Sequence, residues 1–155
     1  MTETMEKKKT RLFNNGEKFE IDIEQLFDNS PWKDMLEASQ SLLCNAFEGG
    51  SNYWYMIEDQ HQPDNFDNVD DDWREFNHIA YPTCEGGYLM ISDEQEAGEE
   101  DKRTEKLDLD SIRKGWRIML EKYPHHFFDA LQQNDDAITG DVFLQCCLYE
   151  ELIYG

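Results

Sequence analysis

Six acidic residues, Asp64, Asp67, Asp70, Asp71, Asp72 and Glu75, are interleaved with Phe66, Val69, Trp73 and Phe76. Apolar anchors three and four residues apart can dock such a segment as an ordered turn or short helix, which holds its carboxylates at fixed separations. Carboxylates held that way offer Arg and Lys the charge-assisted hydrogen bonds that nucleic-acid phosphates offer. Trp73 and Phe76 would be the anchors of this partner-binding segment. The same anchors serve equally well to pack a loop onto its own domain.

Other chemistry finds less support. Counting an EF-hand from Asp64 puts Phe66 at the third position and Val69 at the sixth, where acids and glycine are needed, so no calcium loop is expected. His125 and His126 are adjacent, a spacing that predicts rings facing different directions on a helix, and neither H-E-x-x-H nor paired Cys/His spacing occurs. No metal and no cofactor is therefore expected. Glu48-Gly49-Gly50 and Glu85-Gly86-Gly87 lack the Lys-Ser/Thr of a phosphate loop. No catalytic residue is assigned, and the chain is not expected to be an enzyme. Were it one, Glu48, Asp136 and Asp141 would be the carboxylates to consider. An enzyme or ligand-binding domain built on Phe47 to Gly50, Tyr53 and Trp54 would show a cleft lined by Glu48 and Asp141.

The charge sets the partner class. The 155 residues hold 35 acids against 14 Lys and Arg, a net charge of −21. Residues 58–101 alone hold fifteen acids and one base, Arg74, so this quarter of the chain carries most of the excess. Direct binding of nucleic acid is disfavoured, and a cationic protein is the expected partner. Aromatic residues make up 13% of the chain, enough for a folded core. No run of about 18 apolar residues spans a membrane, and the first ten residues lack a signal peptide's apolar centre. A cytoplasmic protein without membrane partners is expected. Cys44, Cys84, Cys146 and Cys147 show no C-x-x-C spacing and read as reduced packing residues.

These segments need a scaffold. Residues 1–15 read as a mobile basic arm and 16–155 as one acidic domain. A helical pattern opens at Ile21, and a second helix starts at Ser30-Pro31, buries Met35, Leu36, Leu42, Leu43, Ala46 and Phe47, and stops at Gly49-Gly50. Strands are expected at residues 51–57, 78–81 and 87–92, with residues 94–106 as a solvated loop. Beyond Leu107 a helix capped by Asp108 or Asp110 carries Ile112, Gly115, Trp116, Met119, Leu120 and Tyr123. Pro124 opens another with Phe127, Phe128 and Leu131, and Asn134-Asp135-Asp136 caps a last one with Ile138, Val142, Phe143, Cys146 and Cys147. The fold class is α+β: a small antiparallel sheet of about three strands covered by helices. The apolar tail after Glu150 closes either the core or a homodimer seam.

Residues 46–54 (AFEGGSNYW) and 135–155 (DDAITGDVFLQCCLYEELIYG), with 107–115 (LDLDSIRKG) between, resemble a family of small proteins carried by phages, prophages and mobile elements, without an assigned activity. The resemblance implies a genomic setting. By analogy with other small acidic phage proteins, the expected function is counter-defence. The chain would be a DNA mimic, an anti-CRISPR or antirestriction inhibitor that blocks the basic groove of a host defence nuclease. The alternative is an immunity protein that neutralises a cationic toxin nuclease by the same charge logic.

Overall fold

The computed structural model describes residues 9–14, 17–22, 31–51, 54–65, 77–93, 104–132, 134 and 136–154. It is an α+β domain. The first element is a hairpin, with β1 (Lys9–Asn14) antiparallel to β2 (Glu17–Asp22) and Asn14 paired with Glu17. Only Asn15-Gly16 joins the two strands, a dipeptide suited to two-residue hairpin connections. Residues 9–14, expected in a mobile arm, and Ile21 and Asp22, expected to open a helix, are strand instead, while the rest of that arm and of that helix lies outside the described residues. The period-two alternation of Phe19 and Ile21 with Lys18 and Glu20 outweighs the helical spacing that begins at Ile21.

Helix α1 (Pro31–Asn45) opens on the expected proline and runs on into a wider π-helical turn, Ala46–Gly50. Strand β3 (Tyr55–His61) follows, then α2 (Asn77–Ala80), a 3-10 turn (Tyr81–Thr83), β4 (Tyr88–Asp93) and β5 (Thr104–Leu107). The three strands form one antiparallel sheet in the order β3-β4-β5. Its register slips between Ile57 and Asp59, a bulge at Glu58 that leaves the far half of β3 exposed.

Three strands were expected; among the described residues the larger sheet has three, but not the same three, and β1 and β2 form a separate two-stranded sheet. Residues 78–81 are helical because Pro82 sits in the first turn of the 3-10 segment and the Thr83 hydroxyl donates to Ala80 O at 2.6 Å. Their place in the sheet is taken by Thr104–Leu107, from the end of the segment read as a solvated loop. There Leu107 is buried opposite Leu89. Strand β3 starts at Tyr55 rather than Ser51, because Trp54 N and Tyr55 N both donate to Ser51 O in a turn.

Three helices complete the domain: α3 (Leu109–Lys122), α4 (Pro124–Leu131) and α5 (Ala137–Tyr149). Asp108 caps α3 by accepting from Ser111 N at 2.9 Å, and Asp136 caps α5 by accepting from Thr139 N at 2.9 Å. Helix α5 is the centre of the fold. Every residue from Thr139 to Tyr149 is buried, as befits a helix that is apolar nearly all round, and it packs against α1, α3 and the π-helical turn. Two of these approaches need glycine. A Cβ on Gly140 would lie 2.6 Å from Leu42 O in α1, and one on Gly115 would lie 2.2 Å from Cys147 Sγ. Trp116 fills the space between α1, α4 and α5, edge-on to Phe127 and tilted against Phe143, with Nε1 donating to Ser39 Oγ at 2.8 Å. Leu131 and Ile138, both on apolar-looking stretches, are instead exposed. Among the described residues no helix is long and apolar enough to cross a membrane.

Candidate functional site

Two of the stretches singled out in the sequence, 46–54 and 135–155, meet inside the protein through their described residues. The π-helical turn brings Gly50 so close to α5 that a Cβ there would lie 1.8 Å from Ala137 O. The chain then turns so that Ser51 Oγ and Trp54 Nε1 both donate to Asp141 Oδ1 at 2.7 Å. Gln145, one helical turn along α5, donates from Nε2 to Asp141 Oδ2 at 3.1 Å and to Tyr154 O at 2.9 Å. Its Oε1 accepts from Ile153 N and Tyr154 N, both at 2.8 Å. The C-terminal tail is thereby clamped down, and Tyr154 stacks on Trp54 with ring centroids 5.2 Å apart.

This network decides between two readings of Asp141. Ser51, Trp54 and Gln145 are fully buried, and three donors converge on one carboxylate. Buried polar groups need such partners, and these three donors take three of the roughly four lone-pair sites of the Asp141 carboxylate. Glu48 is exposed beside Cys44 and Tyr55. Burial raises the pKa of both of those groups, and the nearby Glu48 carboxylate raises it further. Asp136 is spent on the α5 cap. The three carboxylates weighed for catalysis thus occupy three different environments, and Tyr53 lies outside the described residues. Sequence reasoning missed Gln145. Its signal was available, since Asp141 and Gln145 form an i, i+4 polar pair on an otherwise apolar helix.

The cysteines behave as packing residues. All four are free, and burial pushes Cys146 up to about 12 and Cys147 well above the ordinary thiol value.

Of the expected partner-binding residues, Asp64 is described and exposed. Asp67, Asp70, Asp71, Asp72, Trp73, Glu75 and Phe76 lie outside the described residues. Both flanks of that segment converge on Gly87, where a Cβ would lie 3.0 Å from Pro63 Cδ and 2.3 Å from Tyr81 O. Pro63 and Tyr81, which precede and follow that segment in the sequence, thus both lie against Gly87. Beside it, Glu85, Gly86 and Gly87 line a cleft of about 360 Å³ with Tyr88, Lys106, Asp108, Asp110 and Arg113. Glu85 and Asp110 are exposed there, whereas the Asp108 carboxylate is engaged in the α3 cap. Lys106 Nζ lies 4.4 Å from the centre of the Tyr88 ring, on which His61 also stacks. Elsewhere in residues 58–101, Glu58 and Asp59 are exposed on β3 and Asp93 is buried.

The histidines depart from expectation. His125 and His126 do not face apart: their rings stack with centroids 4.4 Å apart and 24° between planes. They occupy the first turn of α4, where no preceding helical turn restricts the side chains, so adjacent residues can swing toward each other. One nitrogen of each ring and a carboxylate oxygen of Asp129 lie within 4.8 Å of one another. No family model, curated protein or solved structure matches this chain.

Proposed function

We propose that this chain is a counter-defence protein of a phage or mobile element, a DNA mimic whose carboxylates occupy the basic groove of a host defence nuclease. The observation that carries this reading is the placement of charge. Residues 58–101 hold fifteen of the 35 acids with one base. Four of the five acids described there, Glu58, Asp59, Asp64 and Glu85, are exposed. Like charges concentrated at a surface repel one another in the free protein, and a cationic partner relieves that repulsion. The inward-facing polar residues of the resembling blocks support the reading indirectly. Ser51, Trp54, Asp141 and Gln145 satisfy one another, so those blocks are explained by folding and leave the acidic surface as the part that meets a partner.

The test is DNA cleavage by a panel of purified restriction and RNA-guided nucleases with the full chain added. Inhibition of at least one member is expected, weakening as salt is raised because the contacts are between charges. Changing Asp70, Asp71 and Asp72 together to Asn should weaken that inhibition about three- to 150-fold, from about 0.2–1 kcal/mol for each of three exposed pairs. No inhibition across the panel, or inhibition indifferent to both salt and the triple change, would overturn the proposal.

A further inference from the structure

We infer that His125, His126 and Asp129 form a binding site for a single divalent transition-metal ion of the zinc or cobalt class. The inference is independent of the acidic surface. Two imidazole nitrogens and a carboxylate oxygen already lie within 4.8 Å of one another. A tetrahedral ion with bonds of about 2.0–2.1 Å needs its donors about 3.3 Å apart, so small side-chain rotations close the site.

The surroundings favour His126 as a ligand. Its Nδ1 lies 3.2 Å from the hydroxyl of Thr139, a buried residue whose backbone N–H is held by the Asp136 cap. Held at Nδ1 from α5, the ring offers Nε2 to an ion, the arrangement in which a neighbouring group fixes the tautomer and orientation of a metal-binding histidine. The first turn of a helix repels cations, and the carboxylates of Asp129 and Asp136 beside His126 offset that repulsion.

Imidazole selects zinc, cobalt, nickel and copper over magnesium and calcium, which prefer six or more oxygens. That preference separates this site from the carboxylate-rich remainder of the surface. Three protein donors also leave a coordination position open to water or to a donor from a partner.

The experiment titrates the full chain, without a polyhistidine tag, with Co²⁺ at pH 7.5 in excess Mg²⁺, which occupies bare carboxylates. Visible absorption reports nitrogen coordination. One saturable Co²⁺ site is expected, displaced by Zn²⁺, with a melting temperature that rises as Zn²⁺ is added. His125→Ala and Asp129→Asn should each weaken Co²⁺ binding about tenfold or more while leaving the far-ultraviolet circular dichroism unchanged. His126→Gln should remove the cobalt absorption. Absence of a saturable site under Mg²⁺, or a site unchanged in the His125→Ala/Asp129→Asn double variant, would overturn the inference.

Discussion

Replacing Asp141 tests whether the contacts between residues 46–54 and 135–155 hold the fold. In Asp141→Ala the buried Ser51 Oγ and Trp54 Nε1 lose their acceptor, and Gln145 Nε2 keeps only Tyr154 O. An orphaned buried donor costs about 1–3 kcal/mol, and the Ser51 hydroxyl can rotate to recover part of its share, so the loss should be about 3–5 kcal/mol. A domain of this size is stable by about 5–15 kcal/mol, so the variant should sit near the edge of folding. Asp141→Asn should be much milder. Both outer donors use Oδ1, which an amide oxygen replaces, and only the bond from Gln145 Nε2 to Oδ2 becomes donor against donor. Gln145 cannot flip to relieve this, because its Oε1 already holds Ile153 N and Tyr154 N. One bond lost predicts about 1–2 kcal/mol. Urea unfolding followed by tryptophan fluorescence and circular dichroism measures both values, and a cycle with Trp54→Phe isolates the pairwise part. An Asp141→Ala variant within about 1 kcal/mol of the parent would refute the argument, as would equal losses for Ala and Asn.

Two further predictions concern the same end of the molecule. Gly50→Ala places a Cβ 1.8 Å from the Ala137 carbonyl oxygen, whereas Gly49→Ala meets only Ala137 Cβ at an ordinary 3.5 Å. Thermal unfolding should show the first costing about 3 kcal/mol or more and the second within about 0.5 kcal/mol of the parent. Backbone hydrogen bonding from Thr139 holds Asp136 below the ordinary carboxylate value of 3.8, although burial opposes this. A carboxyl lowered on folding stabilises above its unfolded value and loses that contribution as pH falls through the folded one, so the Asp136 term should be complete at pH 6 and vanish in strong acid. At pH 6 Asp136→Ala should cost about 1 kcal/mol in urea unfolding, with the difference from the parent closing in acid.

Much of the helical scaffold was legible because local chemistry repeats along it. Pro31 and Pro124 at helix starts, Asp108 and Asp136 as caps, and the stripe Ile112, Gly115, Trp116, Met119, Leu120 each depend on neighbours within one or two turns. The acidic segment was legible as a concentration of charge; Asp64 is exposed, and residues 66–76 lie outside the described residues. The cysteines were legible as packing residues because four thiols without C-x-x-C or metal spacing read as small buried hydrophobes.

The amino-acid order alone determined α1, α3, α4 and α5, the caps of α3 and α5, the presence of a small antiparallel sheet and the location of the excess charge. All of these are set by contacts between residues close in the chain or by plain composition. The helix at residues 78–81 rests on the adjacent Pro82 and Thr83, whereas only the tertiary structure decided that Thr104–Leu107 became a strand, since it pairs with β4 through partners twelve or more residues away. It likewise decided that Asp141 is a buried acceptor for residues about ninety positions away and that Gln145 clamps the tail. It also turned His125 toward His126 at the free first turn of a helix that α5 supports from the side. Pairing across long sequence separations depends on which surfaces fold together, and no local pattern encodes that.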